Sequence, residues 1–267
     1  MIARSFGSTG VEVPVIGQGT WHMGESRRAE REEIAALRVG LELGLTHVDT
    51  AEMYGDGGAE RVVARAIEGH PRDALFLVSK VLPSNASYAG TIKACEQSLK
   101  RLGTDHLDLY LLHWWSGQHP IVDTMRAMET LVKRGLTRFV GVSNFDVGEM
   151  RQAQAALGST RLACNQVLYH LRDRAIERDL VPHCEAQRAA VVGYTPLARG
   201  GFMREPVVGV ARRHGRTPRQ VALNFLTRRA SLFAIPKASR PEHVRENAAA
   251  LDFTLSAEDL QAIDAAF

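Results

Sequence analysis

Four side chains that could donate or accept a proton stand at, or just beyond, short apolar runs of the sequence. Asp49, Lys80 and His113 each end such a run, and Tyr54 follows the first of them closely. A carboxylate, an ammonium, an imidazole and a phenol can all serve in general acid–base catalysis. The runs have the composition of buried strands, and all strands of a parallel barrel open their carboxyl ends on one face. We therefore expect the four side chains to converge at one site.

Short β-rich runs alternate along the chain with longer stretches in which apolar residues recur with the period of a helix. Eight strands separated by helices predict an α/β protein whose parallel βαβ units close into a (β/α)8 TIM barrel. The predicted strands are Val15–Gly17, His47–Asp49, Leu75–Lys80, Leu107–His113, Phe139–Val142, Ala163–Gln166, Val191–Tyr194 and Phe233–Pro236. The predicted helices are Ala29–Leu43, Gly58–Ile67, Tyr88–Leu102, Ile121–Lys133, Val147–Leu157, Leu180–Gln187, Gln220–Arg228 and Pro241–Leu251, with a terminal helix that starts at Ser256.

Further sequence features indicate an N-terminal hairpin, a single domain and the ends of several helices. Residues 2–6 and 11–13 flank a turn and predict an N-terminal β-hairpin that could plug the bottom of the barrel. No linker or low-complexity tract interrupts residues 1–267, which are predicted to form a single domain. Gly44, Gly103 and Gly135 each stand where a helix should end in the left-handed conformation. A Rossmann sheet is disfavoured, because no Gly-X-Gly-X-X-Gly motif follows a strand and opens a helix.

Charge and hydropathy argue against several classes of partner. The net charge is +3 without a long basic run, so nucleic acid is not a favoured partner. No run approaches the roughly 20 apolar residues that span a bilayer, which argues against a membrane protein. Cys95, Cys164 and Cys184 form no Cys-X-X-Cys pair, and this pattern predicts free thiols in a reducing, cytoplasmic setting. A monomer is expected.

Four segments together resemble the sequence signatures of the aldo-keto reductase family. Residues 44–51, with Tyr54 after them, resemble the signature around the family's catalytic Asp and Tyr. Residues 131–145 resemble the second signature, and residues 235–237 with Glu246-Asn247 resemble the third. Residues 101–114 match the segment that carries the family's histidine. The resemblance extends from Gly17 to Phe253, which is nearly the whole chain.

The resemblance implies a barrel that binds NADPH across its C-terminal face and reduces aldehydes or ketones to alcohols. Tyr54 would be the general acid, because hydride transfer to a carbonyl creates an alkoxide that a nearby donor must neutralise. A free phenol has a pKa of about 10, and Lys80 is expected to lower that value. Asp49 would hold Lys80 charged and oriented, and His113 would donate a hydrogen bond to the carbonyl.

The same resemblance implies where the nicotinamide would lie. Ser143, Asn144 and Gln166 match the residues that hold its carboxamide, and Tyr194 matches the aromatic residue that stacks on its ring. The other residues implied at this end are Gly19, Thr20, Trp21, Asp49, Thr195, Pro196, Leu197 and Ala198.

At the adenosine end, Lys237 matches the residue that pairs with the 2′-phosphate of NADPH. Ala238 and His243 stand where the family often has Ser and Arg, so Arg240 could compensate through its guanidinium. We therefore expect NADPH, with NADH use possible. Ser239, Glu246 and Asn247 complete the implied set.

The substrate pocket is expected to be open. The loop of residues 198–205 is short, whereas larger members of the family have a long loop at this place. The chain also ends at Phe267 without a long C-terminal loop. The loop after Tyr54, residues 55–58, is longer than in many members of the family. The glutamate that opens the next helix in the family is therefore displaced to Glu60. Residues 17–21 and 165–170 resemble the bacterial aldo-keto reductases that reduce methylglyoxal, so small aldehydes or dicarbonyls are the expected substrates. The pocket residues are Trp21, Met53, Tyr54, His113, Trp114 and Trp115.

Two other classes of function also fit eight βα units. A metal-dependent barrel enzyme would need clustered ligands at strand ends, and no His-X-His pair stands at such a position, so no metal is expected. A regulatory barrel that senses the redox state of its cofactor is the second alternative. The complete set of Asp49, Tyr54, Lys80 and His113 argues against it.

Overall fold

A computed structural model describes residues 2–267, which form an α/β barrel with an N-terminal hairpin. The eight strands of the barrel pair in parallel, each with its neighbour in chain order. The barrel closes where Gly17 N donates to the Ala234 carbonyl at 2.8 Å and Ala234 N donates to the Val15 carbonyl at 3.0 Å. The predicted fold is thus confirmed. The strands are β1 Ala3–Ser5, β2 Glu12–Pro14, β3 Gln18–Gly19, β4 His47–Asp49, β5 Phe76–Val81, β6 Leu107–Leu112, β7 Thr137–Ser143, β8 Leu162–Leu168, β9 Ala190–Tyr194 and β10 Leu232–Ala234.

Helices surround the barrel and connect successive strands. Most of the predicted bounds agree with the structure to within two residues. Thr217 caps the helix that begins at Pro218, and Ser256 caps the terminal helix that begins at Ala257. Each side chain accepts a hydrogen bond from a backbone N–H of the first turn. The helices are α1 Glu30–Glu42, α2 Gly58–Ile67, α3 Tyr88–Leu102, α4 Ile121–Lys133, α5 Val147–Ala156, α6 Leu180–Gln187, α7 Val207–His214, α8 Pro218–Leu226, α9 Pro241–Ala248 and α10 Ala257–Ala266.

The hairpin of β1 and β2 covers the bottom of the barrel, as predicted. Between its strands, the ring of Phe6 is fully buried and lies 5.0 Å from the rings of both Phe76 and Phe233. Gly7 has a φ of +58°, and a Cβ there would lie 2.8 Å from the Ala163 carbonyl. The turn is therefore pressed against the amino ends of the strands, which seals this end of the barrel.

Three element predictions need correction. The first barrel strand is Gln18–Gly19, which pairs in parallel with β4, whereas of residues 15–17 only Ile16 forms an isolated bridge, to Ala234. The helix predicted over Pro241–Leu251 ends at Ala248 and continues as a short 3₁₀ turn from Ala249. Helix α7 was not predicted: its last turn, Arg212–His214, is basic, and only three of its residues are buried.

Alternate residues of each strand face two different cores. On β5, Phe76 and Val78 pack inside the barrel, whereas Leu77 and Val81 pack between the strands and the helices. Because side chains alternate along a strand, Lys80 continues the inner row and Ser79 the outer row. The same strand thus carries a lysine into the top of the barrel and a serine toward α2.

Candidate active site

The four side chains chosen for proton chemistry converge at the carboxyl ends of the strands. Asp49 ends β4, Lys80 lies near the end of β5, and His113 directly follows β6. The Lys80 ammonium donates to Asp49 Oδ1 at 2.6 Å, to the Thr50 carbonyl at 2.8 Å and to Tyr54 Oη at 3.3 Å. Lys80 is fully buried, and the Asp49 carboxylate compensates its charge. The lysine therefore links the carboxylate to the phenol.

The protonation states follow from burial and from the ion pair. Burial by itself would lower the pKa of Lys80, but Asp49 and Tyr54 outweigh it and the pKa is raised. Burial raises the pKa of Tyr54, and the nearby Lys80 cation opposes this only in part. Lys80 acts on the Tyr54 pKa in the expected direction, but desolvation exceeds the effect of the cation and the net pKa is raised. At neutral pH the phenol is protonated and the lysine is charged.

His113 stands beside the phenol as a neutral imidazole. Its ring centroid lies 5.7 Å from that of Tyr54, and burial together with Lys80 lowers its pKa to about 3. Its Nδ1 is buried and has no hydrogen-bond partner among the described residues. A neutral imidazole can donate one hydrogen bond to a carbonyl oxygen without adding a charge.

Two tryptophans flank these rings on the open side. Trp21 is 43% exposed and its ring meets that of Tyr54 edge-on at 4.9 Å, while Trp114 is 36% exposed and lies 5.1 Å from His113. Trp115 and Met53 are half-buried and pack against the core between strands and helices. Trp115 also donates to the His119 carbonyl. The exposed aromatic wall at the phenol therefore consists of Trp21 and Trp114.

The turn that carries Tyr54 is shaped by glycines. Gly55 and Gly57 have φ values of +56° and +77°, which are left-handed and favour glycine. A Cβ on Gly24 would lie 2.5 Å from the Gly58 carbonyl oxygen, so the loop of Trp21 packs backbone to backbone on this turn. The close contact fixes Trp21 and Tyr54 relative to each other.

The residues implied for the nicotinamide lie beside the four. Ser143 ends β7 and pairs in register with Gln166 of β8. The Gln166 amide donates to Asp49 Oδ2 at 2.7 Å, so both oxygens of this carboxylate are engaged. Asn144 is exposed, accepts from the Tyr194 hydroxyl at 2.8 Å and donates to the His113 carbonyl at 3.0 Å. Two amides and a hydroxyl next to an aromatic ring are groups that can bind a planar carboxamide.

Beyond Tyr194, the residues implied for the cofactor line a strained loop. Thr195 and Ala198 have φ values of +53° and +44°, which non-glycine residues rarely adopt. Pro196 is buried between them, and Leu197 is half-buried against both cores. Such conformations are found where a loop is held for binding.

The residues implied at the adenosine end lie in the segment after β10 and in α9. Gly19 bridges to Lys237, and Thr20 donates to the Asp49 carbonyl, so the first barrel strand joins the two ends. Lys237 is exposed and its ammonium donates to Ser239 Oγ at 2.6 Å. Arg240 is exposed at the start of α9, and His243 is half-buried one turn later.

Glu246 and Asn247 complete this set, and they differ in whether their side chains are free to bind a ligand. The Glu246 carboxylate pairs with Arg219 of α8 at 2.9 Å, so it is already engaged away from the barrel rim. Asn247 is 2% exposed, and its Oδ1 lacks a partner within residues 2–267. Asn247 lines a small cavity with Gly19, Pro236, Ala238 and Val244. An unpaired buried acceptor facing a cavity is a group that a ligand amine could satisfy.

Comparison with known proteins identifies the family. The sequence model described as Aldo/keto reductase family matches residues 15–267. The chain belongs to the aldo/keto reductase family. It is 48% identical to methylglyoxal reductase YeaE of Escherichia coli (strain K12) over 263 residues, 96% of this chain and 92% of that protein. It is 34% identical to glyoxal reductase of Bacillus subtilis (strain 168), over 96% of this chain and 90% of that protein.

Solved structures of this family superpose closely on the chain. An aldo-keto reductase from Klebsiella pneumoniae in complex with NADPH matches with a TM-score of 0.94 and 46% identity. The match covers 100% of this chain and 96% of that one. The thermostable aldo-keto reductase Tm1743, in complex with epalrestat, has a TM-score of 0.94 and 38% identity, covering 99% of each chain.

Some residues at the site carried no signal in the sequence. The Thr50 carbonyl accepts from Lys80, but a backbone group does not reveal itself through residue type. Arg101 pairs with Glu60 below the Tyr54 turn, although 41 residues separate them. In the part of the chain that the structure describes, no cluster of His, Cys, Asp or Glu is suited to a metal ion. Among residues 2–267, no helix combines the length and apolar character that crossing a bilayer requires.

Proposed function

We propose that this chain reduces small aldehydes and dicarbonyls, such as methylglyoxal, to alcohols with NADPH. The observation that carries the proposal is the contact of the buried Lys80 ammonium with both Asp49 and Tyr54 Oη. A protonated phenol held by a cation at an open aromatic pocket is suited to protonate a carbonyl oxygen as negative charge develops on it. When bound, NADPH supplies the hydride for the carbonyl carbon.

The roles of the residues follow from their positions. Tyr54 delivers its proton to the oxygen, and the Lys80 charge stabilises the phenolate that remains. Asp49, held between Lys80 and Gln166, keeps the ammonium in place. His113 donates a hydrogen bond that orients the carbonyl.

Further residues would hold NADPH. Ser143, Asn144 and Gln166 bind its carboxamide, and the Tyr194 ring stacks on the nicotinamide. Asn247 Oδ1, which is buried and has no hydrogen-bond partner among residues 2–267, would accept from the adenine amine. Lys237, with Ser239 beside it and Arg240 near it, binds the 2′-phosphate.

The width of the pocket supports broad substrate use. Trp21 and Trp114 are exposed and leave the phenol accessible. A pocket that contacts each small substrate weakly cannot discriminate strongly in kcat/KM. We propose one domain that works as a monomer, because all the named side chains come from one chain. The three cysteines are buried and unpaired, which suits the cytoplasm.

A panel of carbonyl substrates, followed by the loss of NADPH absorbance and repeated with NADH, tests the proposal. We expect turnover of several small aldehydes and dicarbonyls with high KM values and better use of NADPH. A bulky ketone that surpassed every small aldehyde by orders of magnitude would contradict the substrate class. Binding of NADPH without turnover of any carbonyl would favour a regulatory barrel. Analytical ultracentrifugation tests the monomer.

A further inference from the structure

We propose that Glu60, Ser79 and Arg101 form a positioning clamp that sets the distance between the Tyr54 hydroxyl and Lys80. The proposal rests on the proposed carbonyl reduction for its kinetic consequences. None of the three residues reaches the pocket. They lie on the outer side of β5, beneath the turn that carries the phenol.

The first arm of the clamp joins the phenol's helix to the lysine's strand. Glu60 lies in the first turn of α2 and is fully buried. The Ser79 hydroxyl donates to its Oε1 at 2.6 Å. Ser79 immediately precedes Lys80, so a shift of α2 changes the position of the Tyr54 turn relative to the lysine.

The second arm comes from α3. Arg101 Nε donates to Glu60 Oε2 at 2.5 Å, and its Nη2 donates to Ser98 Oγ at 3.1 Å. A buried carboxylate needs such a partner, because an unpaired buried charge is strongly unfavourable. Glu60 therefore has both oxygens occupied, one by the strand and one by the neighbouring helix.

The Tyr54 turn is shaped around this arginine. A Cβ on Gly57 would lie 2.5 Å from Arg101 Cδ and 2.7 Å from its Nε, and the φ of Gly57 is +77°. The turn is tied back to Tyr54 itself, because Ala59 N donates to the Tyr54 carbonyl at 3.1 Å. Arg101 thus fills the space directly under the turn, and its loss would leave both the carboxylate and the turn unsupported.

The chain offers a matched control at the bottom of the barrel. Arg72 pairs with the buried Asp108 much as Arg101 pairs with the buried Glu60. The two arginine side chains are similarly exposed, 20% for Arg72 and 22% for Arg101. Arg72 lies before β5, at the opposite end from the phenol. Arg72→Gln therefore removes one cation from a buried carboxylate, which keeps its ion pair with Arg138, without touching the Tyr54 turn.

The test compares Arg101→Gln with Arg72→Gln under conditions where circular dichroism shows both folded. We expect Arg101→Gln to lower the single-turnover rate of methylglyoxal reduction about tenfold to a hundredfold, since small misplacements of reacting groups have such effects. The KM for NADPH should change by less than about twofold, because uniform cofactor binding is untouched. Arg101→Lys should recover part of the rate. Arg72→Gln should keep the wild-type rate.

Hydrogen exchange of the peptide that contains Tyr54 gives a readout independent of activity. It should be about tenfold faster in Arg101→Gln and unchanged in Arg72→Gln, since exchange reports local opening. If Arg101→Gln does not fold, Ser79→Ala removes one arm and should give the same pattern with a smaller change. Equal losses of rate in both arginine variants, or unchanged exchange at Tyr54, would overturn the clamp. A wild-type protein that reduces no carbonyl would refute the proposed function, and the exchange data would still decide the clamp.

Discussion

Two buried aspartates at opposite ends of the barrel form ion pairs whose cations differ in what else they contact. At the top, Asp49 is bound by Lys80 and Gln166, and Lys80 also contacts the Tyr54 hydroxyl at the mouth of the pocket. At the bottom, Asp108 forms ion pairs with Arg72 and Arg138, each at 2.8 Å, and accepts a hydrogen bond from Leu77 N at 2.9 Å.

The difference lies in what the cation reaches next. The bottom arginines contact backbone carbonyls, the Thr104 hydroxyl and a phenylalanine ring, none of which exchanges a proton with a ligand. The top lysine reaches a phenol that is 8% exposed. Both ends of the barrel therefore bury an ion pair. Among residues 2–267, only at the top does the cation also contact a side chain that can donate a proton, the Tyr54 phenol. The following predictions test this contrast.

The largest effect is expected from Tyr54→Phe, which removes the hydroxyl and keeps the aromatic packing. We expect kcat to fall at least ~10²-fold, the usual contribution of a general acid, with little change in NADPH affinity. Single-turnover kinetics and a cofactor titration measure the two. Near-wild-type kcat, with hydride transfer limiting, would remove the special role of the top pair.

At the bottom, Asp108→Asn should act on stability alone. Removing the carboxylate leaves Arg72 and Arg138, whose side chains are 20% and 44% exposed, without their ion-pair partner, so the free energy of unfolding should fall by about 2 kcal/mol, less than for a fully buried pair. The kcat of the folded fraction should stay within about twofold of the wild type, since no reacting group is displaced. Urea denaturation and steady-state kinetics check this. Asp49→Asn is the comparison and should lower kcat; equal kcat values for the two variants would contradict the contrast.

Lys237→Met examines an exposed cation on the top face. We expect NADPH binding to weaken about tenfold, the loss that corresponds to one charge-assisted hydrogen bond. NADH binding should stay the same, because only NADPH carries the 2′-phosphate. Fluorescence titrations with both cofactors measure the ratio. Equal weakening of both cofactors would show that Lys237 has another role.

The smallest effect is expected from pH. Burial raises the pKa of Tyr54 above its usual 10, and burial with Lys80 lowers the pKa of His113 to about 3. Tyr54 therefore stays protonated and His113 neutral across the middle of the range. The rate of hydride transfer should vary by less than about threefold between about pH 6 and 9, far from both pKa values. A steep fall near pH 7 in single-turnover rates would mean that a different group carries the proton.

Much of the fold could be predicted because its signals are local. The bounds of α2, α3, α4 and α6 follow from apolar spacing and from glycines such as Gly103, whose φ is +67°. The convergence of Asp49, Lys80 and His113 follows from strand ends sharing one face. Their assignment as a reductase site depended on the family resemblance, not on spacing.

The remaining features depend on contacts between distant residues. Nothing local to Arg101 indicates that it lies under Gly57, and nothing local to Glu246 indicates that Arg219 engages it. The net pKa of Tyr54 also could not be predicted, because it depends on how fully the folded chain excludes water from the phenol. These quantities are set by packing in three dimensions.

The hydrogen bond from the Tyr194 hydroxyl to Asn144 Oδ1 has a thermodynamic consequence. Asn144 also donates to the His113 carbonyl and to Ser143 Oγ, so both of its amide protons are engaged before a ligand binds, whereas Oδ1 can accept one more hydrogen bond. A carboxamide that takes these positions exchanges one set of hydrogen bonds for another. The exchange adds little to the net strength of association, since hydrogen bonds are both lost and gained. Under the proposed function, a ring that cannot replace the bonds it breaks would bind more weakly, so this amide would select by chemical match.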